Sequence, residues 1–467
     1  MLKIERKKIA RREEKRKMYS KLFMSFIFPL MELSQGTKIQ KYLKWLEKTQ
    51  WRKPEELKEL QNKRLGSLIR HAYENVPYYH RLFKELKLRP DDIKTKDDLH
   101  KLPVLTKETI RKNLSELIAK NIPKSQRIEA HSSGSTGEPL KYYIDKQSYS
   151  YGWAQTFRCW SWAGFRLGDP YVKVSLNPRI GFKKKLQDRL MKCTYIYASA
   201  DITKETFPSL LKIIENAKPK IIRGYASSIY IFARFMEELN LRPNHTPNAI
   251  MTTGEILFPH YRELIESIFN TQVYDGYGGE STPIAFECEE HNYHLCDETV
   301  MVEFIGRDNQ QVSEGEMGEI VITNLVNYAM PMIRYKIGDI GTPSKDLCSC
   351  GRGLSVMESI KGRDTDIVVT PNGGFLVVHF FTILFEHIEG VEQFQVIQDK
   401  IDRLKIKIVK NEKFTDADLN YIISWIKRHA GDEMEVDIEF VDSIPPARSG
   451  KRRFVISKFW DRGGEKL

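Results

Sequence analysis

From residue 38 to about 120 the apolar positions recur at helical spacing. Leu57, Leu60, Leu65, Leu68, Ile69 and Ala72 fall on one stripe, and Pro77, Pro90 and Pro103 punctuate the region. Between about 125 and 345 the rhythm changes. The runs 170–174, 221–222 and 249–252 read as strands, whereas 207–216 and 227–239 read as helices. Strands alternating with helices predict an α/β fold. Near the end of the chain, Leu404, Ile406 and Ile408 alternate with Arg403, Lys405 and Lys407, the pattern of a strand with one wet face. Thr415, with Asp418 three residues on, predicts a capped helix whose stripe is Leu419, Ile422, Ile423 and Ile426. Met434, Val436, Ile438 and Phe440 predict another strand. The chain is therefore expected to close with a small strand–strand–helix–strand unit that begins near 362–366.

A chain of 467 residues has room for two or three domains and a large core. The net charge of +12 suits anionic ligands, nucleic acid or an anionic membrane face, without choosing among them. Much of the charge lies at the start: Lys3, Arg6, Lys7, Lys8, Arg11, Arg12, Lys15, Arg16 and Lys17. An apolar run from Leu22 to Leu33 follows, broken by Pro29. It falls well short of the roughly 20 residues that span a bilayer, and no small-residue cleavage site marks a signal peptide. Two readings stay open. The run is a helix packed on the body behind a solvated basic tail, or it is a peripheral membrane foot at the inner face of the membrane.

Five segments carry candidate chemistry. Ser132-Ser-Gly-Ser-Thr-Gly-Glu-Pro-Leu140 can turn backbone N–H groups and hydroxyls onto phosphate oxygens, or be a flexible turn. It is not a Walker A loop, because no Gly-Lys-Ser/Thr closes it. Tyr274-Asp-Gly-Tyr-Gly-Gly-Glu-Ser281 offers an aromatic for a purine, glycines for close approach and Glu280 for Mg2+, or a tight turn. Gly338-Asp339 closes what reads as a strand, a common place for a ribose-hydroxyl acceptor. Ile360-Lys-Gly-Arg-Asp-Thr-Asp-Ile367 lies where the composition shifts, and Ile444-Pro-Pro-Ala-Arg-Ser-Gly-Lys-Arg-Arg453 lies near the end. Separately, Cys288, His291, His294, Cys296, Cys348 and Cys350 form two short clusters that suit tetrahedral Zn2+ in several combinations.

In order and spacing, the five segments resemble the adenylate-forming superfamily of acyl-CoA synthetases, adenylation domains and luciferases. His131-Ser-Ser-Gly-Ser-Thr-Gly-Glu-Pro, Thr252-Thr-Gly-Glu255 and Asn75-Val-Pro-Tyr-Tyr79 look most like the phenylacetate–CoA ligase family and its relatives found with capsular-polysaccharide genes. The resemblance implies an α/β fold in which a large adenylate-forming domain with a helical N-terminal extension precedes a small mobile C-terminal α+β domain. The expected division is 1–120, 121–361 and 362–467.

The resemblance also implies roles. Ser132, Ser133, Gly134, Ser135, Thr136 and Gly137 would form the phosphate loop. Tyr277, with Gly278 and Gly279, would lie against adenine, Glu280 and Thr136 near Mg2+, and Asp339 on the ribose hydroxyls. Arg363 would reach the nucleotide, and Lys451 would enter the site during adenylation. Thr253, Gly254 and Glu255, with Gly224-Tyr-Ala-Ser227, would line the acid pocket. The hinge would be Thr365 or Asp366, since close relatives often place Asp where Thr365 stands. Some relatives pair a Cys with a His six positions later and a distant Cys-x-Cys. That pattern implies Cys288, His294, Cys348 and Cys350 as zinc ligands, with His291 and Cys296 in reserve. Four protein ligands leave no position for water, so the site would be structural.

The function so implied is an AMP-forming acid–thiol ligase of a cytoplasmic protein. It would use ATP, Mg2+, a carboxylic acid and the thiol of coenzyme A or of a carrier protein, and no nucleic acid. The alternative is an adenylyltransferase, or an amide- or ester-forming enzyme, in polysaccharide or coenzyme biosynthesis. A non-catalytic assembly protein is disfavoured by Lys451, Asp339, Glu280 and the phosphate loop.

Overall fold

The structure is a computed structural model that describes residues 18–131, 140–175, 179–197, 205–279, 282–306, 309–361, 368–372, 374–376, 378–386, 388–444 and 454–459. Strands β1 (Arg127–His131) and β2 (Lys141–Asp145) pair antiparallel, and segment 132–139 joins them. Five strands then run parallel: β3 (Tyr171–Ser175), β4 (Cys193–Tyr197), β5 (Ile221–Tyr225), β6 (Ala249–Thr253) and β7 (Val273–Gly279). From residue 282 the alternation with helices stops. Strands β8 (Thr282–Glu287), β9 (Tyr293–Leu295), β10 (Val300–Ile305), β11 (Gly318–Asn324), β12 (Tyr335–Pro343) and β13 (Val356–Lys361) pair antiparallel. All eleven belong to one sheet, ordered β10-β11-β12-β13-β9-β8-β7-β6-β5-β3-β4. The expected α/β fold thus holds, with strands and helices alternating in the parallel half of the sheet and not in the antiparallel half. Short loops suffice to join antiparallel neighbours, so no crossover helix is needed there.

The helical N-terminal region backs the antiparallel half. Leu65, Leu68, Ile69 and Ala72 of helix Pro54–Asn75 share a core with Tyr79, Phe83, Met332, Ile333 and Tyr335. Val76 ends that helix in an extended conformation, as a residue before proline must, and Pro77 starts the next. Tyr79 Oη then donates to the Pro331 carbonyl at 3.0 Å. Leu105 exchanges backbone hydrogen bonds with Arg334 and Lys336. This region therefore sets the position of β12, the strand that carries Asp339.

The C-terminal part has its own sheet and core. Strands β14 (Val368–Val369) and β15 (Phe375–Leu376) form a short hairpin, and helix Val378–Glu386 follows. Strands β16 (Val391–Lys400), β17 (Arg403–Lys410), β18 (Glu435–Phe440) and β19 (Val455–Ser457) form a sheet in the order β18-β17-β16-β19. Helix Asp416–Ala430 packs Ile422 and Ile426 against Leu404, Ile406 and Ile408. Its start has the expected box: Thr415 N donates to Asp418 Oδ2 at 2.9 Å, and Asp418 N to Thr415 Oγ1 at 3.3 Å. Strand β19 escaped the alternation pattern because it is three residues long; it pairs parallel with β16.

Candidate active site and metal centre

The carboxyl ends of β5, β6 and β7 lie side by side, with Tyr225 opposite Thr253 and Thr253 opposite Gly276. In parallel sheets this edge is where ligands bind, because the strands there give way to loops and helix N-termini. The edge carries three of the sequence segments singled out above: 224–227, 252–255 and 277–279. Gly254 turns the chain with φ +80°, a conformation side-chain-bearing residues rarely adopt. Glu255 Oε2 then accepts from the backbone N–H of Ser227 at 2.9 Å, capping helix Ala226–Glu238. The expected acid-pocket segments thus meet through the Glu255–Ser227 contact.

Tyr277 and Asp339, 62 residues apart, also meet: Tyr277 Oη donates to Asp339 Oδ2 at 3.0 Å. Asp339 does not close its strand, as its sequence suggests. It stands inside β12, where the register against β11 shifts between Lys336 and Ile340 and Gly338 has φ +96°. A bulge of this kind re-aims a side chain without ending the strand.

Behind Tyr277 lies a buried polar network that the sequence reading passed over. Thr252 Oγ1 and Tyr293 Oη donate to the two oxygens of Asp275, at 2.6 and 2.8 Å. Asp275 N and both contacts from Arg262 Nη2 converge on Glu287. Burial, then the neighbouring Glu287, pushes Asp275 up to about 6. The network ties β6, β7, β8 and β9 together beneath the candidate nucleotide contacts. Asp275 lies within the segment that the sequence offers as a purine contact or a tight turn and that the structure makes strand β7.

The C-terminal part touches the same edge. Tyr197, the last residue of β4, has its hydroxyl 3.2 Å from His429 Nε2. The His429 Nδ1 lies 2.7 Å from the Trp425 carbonyl and donates to it. The remaining expected site residues lie outside the described residues: Ser132, Ser133, Gly134, Ser135, Thr136, Gly137, Glu280, Arg363, Thr365, Asp366 and Lys451. Phe157 and Trp160 are buried in the core with Phe165 and Tyr171, and Trp153 packs against that core.

A second cluster forms where the β8–β9 turn meets the β12–β13 loop. The ligand atoms of Cys288, His294, Cys348 and Cys350 all lie within 4.8 Å of one another. Cys288 Sγ and Cys348 Sγ are 3.6 Å apart, and Cys350 Sγ is 3.2 Å from His294 Nε2. A disulfide needs about 2.05 Å, whereas two thiolates on a tetrahedral zinc stand about 3.8 Å apart. The donor set and its spacing fit zinc. So do the surroundings: the Glu290 N–H and the Asn292 amide donate to the Cys288 and Cys348 sulfurs at 3.4 and 3.3 Å. Burial pushes His294 down to about 4, which keeps its imidazole neutral, the form that ligates. The two reserve residues stand elsewhere. His291 faces Arg262 at 3.2 Å, and Cys296 is buried beside Arg158 at 4.0 Å. The loop is also pinned from outside. A Cβ on Gly353 would meet the Arg52 carbonyl oxygen at 1.8 Å, so only glycine lets the two backbones approach.

Three comparisons bear on this arrangement. The family model described as the CapK C-terminal domain matches residues 368–458. Protein CapK of Staphylococcus aureus is 27% identical over 418 residues, covering 86% of this chain and 89% of that protein. Phenylacetate-coenzyme A ligase of Aromatoleum evansii is 27% identical over 374 residues, covering 76% and 82%. Among solved structures, a 2-hydroxyisobutyryl-CoA ligase in complex with 2-HIB-AMP and CoA aligns with a TM-score of 0.58 at 20% identity, covering 86% of this chain and 90% of that one. That last likeness speaks for the fold alone. Over most of its length the chain is therefore similar to Protein CapK and to phenylacetate–coenzyme A ligases, and residues 368–458 match the CapK C-terminal domain.

Proposed function

We propose that the protein joins a carboxylic acid to the α-phosphate of ATP, releases pyrophosphate, and passes the acyl group to the thiol of coenzyme A with release of AMP. The observation that carries this reading is the contact between Tyr277 and Asp339 at the carboxyl edge of the parallel strands. In this reading adenine lies against Tyr277, flanked by Gly278 and Gly279, and the ribose hydroxyls donate to Asp339. Segment 132–137 cradles the phosphates, with Thr136 and Glu280 at Mg2+ and Arg363 on the nucleotide. The acid lies between 224–227 and 252–255. A carboxylate and a polyphosphate repel each other. The site must therefore hold them in line and neutralise the charge that develops on pyrophosphate. The names of the ligase relatives support the activity class, and a small aryl acid is the substrate class we favour. ATP–pyrophosphate exchange over a panel of aryl, aliphatic and sugar-derived acids tests the first step. The product mass with and without coenzyme A then separates thioester formation from adenylyl transfer and from amide or ester formation. Absence of exchange with every acid would contradict the proposal.

Asp339→Ala is expected to weaken ATP binding about tenfold or more, since hydrogen bonds to a charged acceptor are worth about 1.5–3 kcal/mol. Affinity for the acid should change little. Calorimetric titration of the variant with ATP decides; unchanged nucleotide affinity would make Asp339 a structural residue of its bulge.

Zinc held by Cys288, His294, Cys348 and Cys350 belongs to the same proposal, as a structural element that fixes the β8–β9 turn against the β12–β13 loop. Protein purified without chelators should carry about one zinc per chain. Cys348→Ser should lower both the zinc content and the melting temperature, because binding energy at such a site is partly folding energy. Metal-free protein of full stability would refute this part.

A further inference from the structure

The first described helix has two apolar faces, and only one of them is used. Residues 18–22 are helical and run through a π-turn (Phe23–Ile27) into helix Phe28–Gln35. The inner face is seated on the body: Phe23 and Phe28 are buried in a core with Phe165, Leu167, Tyr171 and Met191. Ser20 Oγ donates to the Leu167 carbonyl at 2.9 Å, and the Gln40 amide to the Met24 carbonyl at 2.8 Å. The outer face carries Met18, Leu22, Phe26, Leu30 and Leu33, from 49% exposed at Leu22 to 80% at Leu33. Most of these residues are four positions apart. On a plain α-helix of 3.6 residues per turn that spacing drifts around the axis; the wider i→i+5 turn at 23–27 takes up part of the drift and keeps them on one side.

A second apolar edge adjoins the first. Ile180, Phe182 and Leu186, at the start of helix Phe182–Leu190, are 71%, 79% and 44% exposed. Tyr19 joins the two elements: its hydroxyl donates to the Leu190 carbonyl at 2.8 Å, and Lys192 Nζ sits 3.6 Å from its ring centre. Both edges are rimmed with positive charge. Lys21, Lys183, Lys184, Lys185 and Arg189 are exposed, and the basic run Lys3–Lys17 enters the first helix directly along the chain. Among the described residues, two nearby acids are engaged. Asp188 pairs with Arg179 at 2.7 Å, and Glu32 accepts from the Gln40 N–H at 3.1 Å.

We propose that this face, Met18–Leu33 together with Ile180–Leu186, seats the protein on an anionic lipid surface. Aromatic and aliphatic side chains would enter the headgroup–acyl boundary while the lysines and arginines meet lipid phosphates. Single exposed apolar residues are ordinary, but eight on two touching elements form the kind of patch that marks an interaction site. The charge selects the occupant. A second copy would bring two basic rims together, whereas an anionic bilayer complements them. The attachment is peripheral: no helix of the described residues is long and apolar enough to cross a membrane.

The test is co-sedimentation of the full chain with phosphatidylcholine vesicles, with and without phosphatidylglycerol, at low and high salt. Phe26→Ser/Leu30→Ser and, on the other element, Phe182→Ser are compared with the parent. All three positions face solvent, so melting temperature should hold. Expected results are binding to the anionic vesicles only, weakening with salt, and a loss of about tenfold or more in the double variant, as for withdrawing two large side chains from an apolar phase. Phe182→Ser should lose several-fold. Equal binding by parent and variants, or no binding at low salt, overturns the proposal. Self-association without lipid that the double variant abolishes overturns it in favour of a second copy.

Discussion

Replacing Lys451 with alanine is expected to slow acyl-adenylate formation by about 10²–10³-fold, roughly 3–4 kcal/mol, while transfer from a supplied acyl-adenylate to the thiol survives. The chemistry asks for this asymmetry. Joining a carboxylate to an α-phosphate needs a positive charge placed between two anions, whereas thioester formation from the finished adenylate does not. Lys451 lies outside the described residues, but the chain on both sides is anchored in the C-terminal core. Ile444 and Phe454 are buried, Val396 N donates to the Phe454 carbonyl at 2.7 Å, and Val455 pairs with Val396 in the sheet. Rotation of that unit would carry the lysine with it, so a second orientation could clear the site for the thiol. Single-turnover measurement of each half-reaction decides. Equal losses in both, in a variant with normal melting behaviour, would remove Lys451 from the adenylation step.

Glu298→Ala is expected to cost about 3–5 kcal/mol of stability, because it strands a buried charge. Arg158 and Glu298 are both fully buried, with Arg158 Nη1 2.7 Å from Glu298 Oε1. Thr49 Oγ1 donates to the same oxygen at 2.8 Å. Burial works against the charged guanidinium, and Glu298 together with the neighbouring Cys159 and Cys296 outweighs it. The pair sits where three parts of the molecule meet. Arg158 belongs to helix Lys146–Trp162, which begins at the end of β2. Thr49 ends helix Ile39–Thr49, and Glu298 leads into β10. Replacing both charges with methionine should be milder than either single change, since an apolar pair of similar size leaves nothing unpaired. Urea unfolding of the two single variants and the double variant checks this. A Glu298→Ala loss below about 1 kcal/mol would show that water reaches Arg158.

The elements legible in the sequence are those whose periodicity is long and whose partners are local. The alternation at 403–408, the box at Thr415–Asp418 and the stripe from Leu57 to Ala72 each imposed its own element. The change from parallel to antiparallel at residue 282 was not legible, because it depends on which strand lies next to which, and alternating hydrophobicity is blind to that. The bulge at Asp339 was hidden for a related reason: Gly338 reads as a stop signal, and only the pairing with β11 shows the strand continuing. Residue type and spacing marked the thiol and imidazole cluster but left its membership open. The turn at 288–292 and the pairing of Val356 with His294 decide it, turning His291 toward Arg262 and leaving Cys296 inside the core. The outer face of the first helix was half legible. Its apolar run was plain, whereas the second apolar edge at Ile180–Leu186, far along the chain, is visible only where Tyr19 meets Leu190.

The most direct test of acyl-adenylate chemistry follows an oxygen atom. An acid that supports pyrophosphate exchange is labelled in its carboxylate with oxygen-18 and turned over with ATP and coenzyme A, and the products are weighed. Attack of the carboxylate on the α-phosphorus, then of the thiol on the acyl carbon, leaves one carboxylate oxygen in AMP and the other in the thioester. Label in AMP and thioester is the predicted result. Label in inorganic phosphate, or AMP without label, would contradict the account.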